Sequence, residues 1–187
     1  MTNDTNSDEY FWFAMSSPFN KEFVAKKLLD SKGIENFIPM CYRVMKKRDG
    51  RKVRELVPAI HNLIFVHTTR EIIQETKKGI SYLQYLTRRD GTQNIPITVP
   101  TEDMNQFMAV TRTCNEELLY LEPEEINLTK GTPVRILGGP FDGIEGIFVK
   151  VKGVRSKRVV VLLPGVTAVA TAEIKPDLIE VIKPSEK

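Results

Sequence analysis

Gly131-Thr132-Pro133-Val134-Arg135-Ile136-Leu137-Gly138-Gly139-Pro140-Phe141-Asp142-Gly143-Ile144-Glu145-Gly146 decides the reading of this chain. Two short apolar strands, residues 134–137 and 144–151, flank the corner Gly138-Gly139-Pro140-Phe141-Asp142-Gly143. Glycine reaches backbone angles that a Cβ resists and proline fixes one φ, so this run must turn. Phe141 sits in the turn, where an aromatic either packs on the end of a barrel or waits for a partner.

Working outward on the C-terminal side, residues 130–183 read as all β, with strands near 133–138, 144–151, 157–163, 166–172 and 178–182. The run Val159-Val160-Val161-Leu162-Leu163 is uninterrupted in its preference for strand. Lys150, Lys152, Arg155, Lys157 and Arg158 crowd the hairpin between the second and third strands, serving either solubility or nucleic-acid contact. The Pro164-Gly165 corner and the Lys175-Pro176-Asp177 turn complete a small five-stranded, SH3-like barrel. A basic and apolar strand, a Gly-Pro-Phe corner and Gly146 closing the next turn together resemble a KOW motif. Barrels with this motif occur in NusG-type transcription factors and in some ribosomal proteins.

On the N-terminal side, residues 1–9 read as a disordered tail. Tyr10-Phe11-Trp12-Phe13-Ala14-Met15 is apolar on both faces and reads as a central strand. Asn20 is the expected N-cap of a first helix, with Phe19 stapling to Val24 and Gly33 ending it. Its inner face is Val24, Leu28 and Leu29. A second strand is expected from Ile34 through Met40. Residues 43–54 then carry seven basic side chains and one acid around Asp49-Gly50, a two-residue hairpin signal. Such a tip, with Lys46, Lys47 and Arg48, is either a charged edge that discourages sheet stacking or a phosphate contact.

Leu63-Ile64-Phe65-Val66 reads as a strand with Ile64 and Val66 under helices, and Leu63 and Phe65 turned toward a second layer or a partner. Thr68-Thr69-Arg70-Glu71 is a capping box opening a second helix. The inner face of that helix is Ile72, Ile73 and Thr76, and Lys77-Lys78 form its basic end. Those lysines also complement the helix dipole. Residues 82–86 make another strand, Arg88-Arg89-Asp90-Gly91 a basic turn, and residues 95–97 a short extended piece. Thr101 caps a third helix with Met104, Phe107, Met108 and Thr111 at helical spacing. The resulting β-α-β-β-α-β order is that of a ferredoxin-like domain, so the fold class is α+β.

Charge marks the division. Residues 1–112 hold 17 Lys and Arg against 13 Asp and Glu, residues 113–129 none against 5, and residues 130–187 hold 10 against 6. Two basic blocks around an acidic one suggest a domain over residues 10–112, a linker over 113–129 and a barrel over 130–183. The apolar centre of the linker, Leu118-Leu119-Tyr120-Leu121, can also dock onto a domain. Cys41 and Cys114 have no metal-ligand spacing, and no metal or cofactor is expected. The first residues lack a signal peptide's basic and apolar regions, and no apolar run approaches the ~20 residues a bilayer requires. A cytoplasmic protein without membrane contact is the expectation.

An aromatic first strand in a ferredoxin-like domain, a linker and a KOW barrel together resemble the NusG family of transcription elongation and antitermination factors over residues 10–183. The specific parts are Trp12-Phe13, Asn62-Leu63-Ile64-Phe65-Val66 and Gly139-Pro140-Phe141 with Gly146. The resemblance implies a monomer binding the clamp helices of RNA polymerase, with Phe65 as anchor and Leu63, Phe13 and Met15 as neighbours. It implies non-template DNA near Lys77, Lys78, Arg88 and Arg89. It also implies a ribosomal protein or a termination factor on the barrel, with Phe141 at the contact. His61 and Leu63 stand where general members carry proline and tyrosine, and Ser16 where specialised members often carry an aromatic. The lean is toward a specialised, operon-restricted paralogue similar to the RfaH and UpxY types. Some of those refold the last domain into helices, which the valine run at 159–161 opposes.

The alternative is a KOW-containing RNA- or ribosome-binding protein with both basic hairpins on phosphates. Its signature would be tight binding to free RNA that falls steeply with salt. An enzyme is not expected, because His61 and His67 have no evident nucleophile partner and no phosphate loop appears.

Overall fold

The computed structural model describes residues 9–18, 20–121 and 131–182. Most of the expected tail, the Phe19 staple, and Glu122, Glu124 and Glu125 lie outside the described residues. In chain order the elements begin with β1 (Phe11–Ser16), α1 (Glu22–Ser31), β2 (Glu35–Phe37), β3 (Met40–Lys46), β4 (Lys52–Pro58), β5 (Leu63–Thr68) and α2 (Arg70–Lys78). There follow β6 (Gln84–Tyr85), β7 (Thr87–Asp90), β8 (Gln93–Pro96), β9 (Thr98–Val99), α3 (Thr101–Thr111) and β10 (Leu119–Leu121). The last are β11 (Thr132–Ile136), β12 (Glu145–Lys150), β13 (Lys157–Leu163), β14 (Thr167–Ala170) and β15 (Ile179–Val181). They form two compact units: Met1–Pro39 with Ile60–Thr101, and Met40–Ala59 with Glu102–Lys187.

The first unit is a sheet of order β2-β5-β1-β6, with β9 also on β1. β1 and β2 both run antiparallel to β5, and β5 and β6 both run antiparallel to β1. Helices α1 and α2 are therefore crossovers between parallel strands, the ferredoxin-like connection. Register sorts the central side chains. Met15 lies opposite Ile64 and Phe13 opposite Val66, while Ala14 lies opposite Phe65 and Trp12 opposite His67. Helix α2 covers the first set, with Arg70 over the Phe11 ring and Lys77 over the Tyr85 ring. Seven residues apart, these two mark one helical stripe, with the buried Ile73 between them.

Three local readings change. The residue before α1 is Lys21, without a side-chain cap, and Asn20 has φ 54° with its N–H donating to Asn62 Oδ1 at 3.3 Å. Asparagine tolerates that left-handed conformation, so it turns the chain where it was expected to cap. Val24 is consequently exposed, and Glu22, Ala25 and Leu29 form the buried face. In α2 the cap is Thr69, whose Oγ1 accepts from Ile72 N–H at 3.3 Å, and Ile72 is exposed. The fourth strand is also cut in two. Hydrogen bonds from Leu86 to Ala14, Ala14 to Ile97 and Ile97 to Leu86 close the base of an inserted ribbon, β7–β8.

The second unit contains the β3–β4 hairpin, most of α3 and a sheet of order β10-β14-β13-β12-β11-β15. The hairpin turn is longer than two residues. Gly50 N–H donates to Lys47 O and Lys47 N–H to Arg51 O, with Gly50 at φ 85°. That is a type I turn followed by a left-handed glycine. Met104, Phe107, Met108 and Thr111 of α3 are all buried. The five C-terminal strands fall close to their expected places. Leu119–Leu121, inside the expected linker, adds a sixth strand antiparallel to β14. Leu119 and Leu121 pack on a core of Val149, Val151, Val160, Ala168 and Ala170. The molecule is thus α+β, a helix-covered sheet followed by a β-rich C-terminal part.

Candidate interaction surfaces

Phe65 and Leu63 share the sheet face opposite α2, as strand parity predicted, but Phe13 and Met15 lie on the α2 side. The four expected neighbours do not form one surface, because β1 and β5 pair with Ala14, not Phe13, opposite Phe65. All four are buried: Phe65 and Met15 at 0% exposure, Phe13 at 1% and Leu63 at 4%. The companions of Phe65 on its own face are Trp12, Ala14 and, across β2, Phe37.

At the end of that face lies a cluster missed by inspection of the sequence. Register places Trp12 and Glu35 on either side of His67. The His67 ring stacks on Trp12 at 4.7 Å between centroids and 14° between planes, and Tyr10 tilts against it at 5.5 Å. His67 Nδ1 lies 2.7 Å from Glu35 Oε2. A cleft of about 560 Å³ opens beside the cluster, lined also by Lys32, Ile72 and Thr76. Its signal was the strand alternation of Tyr10, Trp12 and Ala14, legible only once the pairing with β5 is known.

The basic residues fall in separate places. In the first unit, Lys77 Nζ sits 3.7 Å from the Tyr85 centroid, and partial burial lowers its pKa. Burial raises the Tyr85 phenol, against a smaller opposing effect of Arg70. Lys78 pairs with Glu75. Arg88 and Arg89 are exposed on β7, opposite Ile95 and Asn94, and being consecutive they project to opposite faces of the ribbon. In the second unit, Lys46 lies opposite Lys52, Lys47 pairs with Glu55, and Arg48 is exposed in the turn. Arg51 binds Asp49 at 2.7 Å. The same hairpin exposes Tyr42, Val44, Met45, Val53 and Leu56, with Arg54 over the Tyr42 ring.

At the Gly-Pro-Phe corner, Phe141 ends a single 3₁₀ turn, Gly139–Phe141, and is 2% exposed. Of the two possibilities for this aromatic, the structure has it packed. Gly138 and Gly139 have φ 82° and 74°, and Asp142 Oδ1 accepts from Gly138 N–H. Gly146 is not in a turn. It lies in β12, where a Cβ would come 2.6 Å from Val160 O and 2.8 Å from Val159 Cγ1. Arg135 bridges Glu145 and Glu180 on its two neighbouring strands. Among the described residues no group of three or more His, Cys, Asp or Glu could hold a metal ion, and no helix is long and apolar enough to cross a membrane.

The family described as transcription termination factor nusG matches residues 10–108, just over half of the chain. No curated protein matches. A solved structure of NusG from Thermotoga maritima, described for its domain interaction, is 16% identical, with 95% of this chain and 100% of that one covered and a TM-score of 0.42. The family match spans β1 through most of α3 and includes every element of the sheet that carries Trp12 and Phe65. This chain belongs to the NusG family of transcription factors.

Proposed function

We propose that this protein is a cytoplasmic, monomeric elongation and antitermination factor that binds RNA polymerase through the Phe65 face of its N-terminal sheet. Residues 10–112 are the polymerase-binding part. Residues 113–129 are a tether, held at Leu119–Leu121 by β14. Residues 130–183 recruit a ribosomal protein or a termination factor. The observation that carries this reading is the family match over residues 10–108; the stretch it covers includes the sheet in which the β1–β5 register sets Phe65 on one face with Trp12, Ala14 and Leu63. Aromatic anchors of this kind dominate interface energies, at about 2 kcal/mol or more each. Phe65 is wholly buried, so engagement through it requires this face to open first. Phe141 then supports the C-terminal contact by holding the corner. Non-template DNA lies toward Lys77 and the β7–β8 ribbon. The departures at His61, Leu63 and Ser16 support a specialised paralogue.

The test is binding to core RNA polymerase by wild type, Phe65→Ala and Phe13→Ala. Truncating a buried phenylalanine costs about 3–5 kcal/mol wherever it lies, so Phe13→Ala, on the α2 side, is the control for lost stability. Phe65→Ala is expected to weaken binding roughly tenfold beyond Phe13→Ala, as loss of ~1.4 kcal/mol of contact would. Equal losses would remove the anchor role. A wild type that ignores polymerase and binds free RNA with a steep salt dependence would establish the RNA-binding alternative instead.

A further inference from the structure

Register gives the β3–β4 hairpin two faces of different character. The hairpin is a two-stranded sheet of its own, and its side chains from Tyr42 to Arg54 are exposed. On one face Arg43 lies opposite Glu55 and Met45 opposite Val53. The cations there are matched: Arg43 donates to Ala59 O at 3.1 Å and Lys47 is ion-paired with Glu55, while in the turn Arg51 binds Asp49. On the other face Tyr42 lies opposite Leu56, Val44 opposite Arg54 and Lys46 opposite Lys52, so neither strand puts a carboxylate there. Lys46 and Lys52 are like charges directly opposed, an arrangement that weakens a hairpin. Neither enters an ion pair among the described residues. Arg54 lies over the Tyr42 ring at 4.2 Å and is held from outside the hairpin by Glu116. Tyr42, Val44 and Leu56 are exposed beside these cations.

We propose that this face holds single-stranded nucleic acid, DNA and RNA alike, with phosphates on Lys46 and Lys52 and bases against Tyr42, Val44 and Leu56. Positive charge gathered on one face without carboxylates selects a polyanion. A duplex presents phosphates but keeps its base faces stacked inside, so the three apolar side chains gain nothing from it. A single strand offers both phosphates and base faces, and every base has a face that an aromatic ring can accept. The Tyr42 hydroxyl is the one neutral hydrogen-bonding side-chain group on this face, too little to tell bases apart or to read a ribose 2′-hydroxyl. Glu116 competes with a third phosphate for Arg54. Lys47 and Arg51, whose charges are already matched, take no part. This face belongs to the second unit and the Phe65 face to the first, so its strand binding is tested without polymerase.

The experiment measures the fluorescence anisotropy of a labelled oligo-dT, an oligo-U of equal length and a duplex of that length, each titrated with the full-length chain across a salt series. Both single strands are expected to bind alike, and roughly tenfold more tightly than the duplex. Lys46→Ser combined with Lys52→Ser should flatten the slope of log K against log salt by about 1.4, two phosphates at ~0.7 each. Lys47→Ser combined with Arg51→Ser removes the same charge from groups already matched and should leave that slope in place. Tyr42→Leu should weaken binding roughly fivefold at an unchanged slope, since a base contact is lost and no phosphate. Glu116→Gln should tighten binding roughly twofold to fivefold by freeing Arg54, a gain that misfolding cannot produce. Duplex bound as tightly as single strand, equal flattening by the two double substitutions, or no gain in Glu116→Gln would each overturn the proposal. Binding to phosphatidylserine vesicles in place of the oligonucleotides would overturn it too and assign the face to a lipid surface.

Discussion

Gly146 and Phe141 are the residues whose roles the corner motif half disclosed. Both were visible as members of a Gly-Pro-Phe pattern, and the pattern read Gly146 as a turn residue. The structure puts it inside β12, with the Val160 carbonyl and the Val159 methyl where a side chain would begin. Close passage of the backbone of β13, and no special dihedral, demands glycine there. The glycines of the corner differ: Gly139 faces open space and is required only for its φ of 74°. Gly146→Ala is therefore expected to destabilise the protein by about 1–3 kcal/mol through overpacking, with backbone as the unyielding neighbour. Gly139→Ala should cost nearer the roughly 1–2 kcal/mol of a left-handed alanine. Urea titration of both variants checks this, and equal stability of wild type and Gly146→Ala would contradict the close-packing account. Phe65 shows the converse limit. Parity alone gave its face correctly, but whether that face is open or closed depends on tertiary structure, to which a four-residue pattern carries no information.

Elements were legible where punctuation and periodicity agreed, as in β5, α3, β12 and β13. They were less legible where a local signal had two physical outlets. Asn20 can cap a helix or turn the chain in the left-handed region, and here Asn62 recruits its N–H for the second. Asp49-Gly50 can close a two-residue turn or the longer one that occurs, in which Asp49 accepts from Arg51. The largest miss was β7–β8. Arg88-Arg89-Asp90-Gly91 read as a turn, while pairing of β6 and β9 along one side of β1 makes it half of a projecting ribbon. A ribbon with arginines on both faces touches a nucleic acid along one face at a time. Replacing both Arg88 and Arg89 with Ser is expected to weaken single-stranded DNA binding. If the arginine on the contacting face gives up one phosphate, the slope of log K against log salt should flatten by about 0.7. Fluorescence anisotropy across a salt series measures this, and an unchanged slope would remove the ribbon from the DNA contact.

At the scale of the whole molecule, charge segmentation located the acidic stretch but could not tell a tether from a strand. Leu118-Leu119-Tyr120-Leu121 is apolar enough for either. Its outcome was decided by β14, whose outer edge needs a partner. Without β10, the backbone groups of Thr167–Ala170 on that side would be unpaired, and an unpaired apolar edge invites association. The same region bears on whether the C-terminal part can turn helical. Val159, Val160 and Val161 are all buried, so both faces of β13 are engaged. A β-branched run also forms helix poorly. Two fragments separate these effects, one of residues 113–187 and one of residues 131–187. Both are expected to give β-type circular dichroism without helical minima, because β11 to β15 are common to both. Only the shorter should associate as concentration rises, since it lacks the strand that covers the β14 edge, and sedimentation velocity would register this as a growing fraction of larger species. A helical spectrum from either fragment would mean that β13 owes its conformation to the rest of the chain. Monodisperse behaviour of the shorter one would mean that β10 is dispensable as an edge cover.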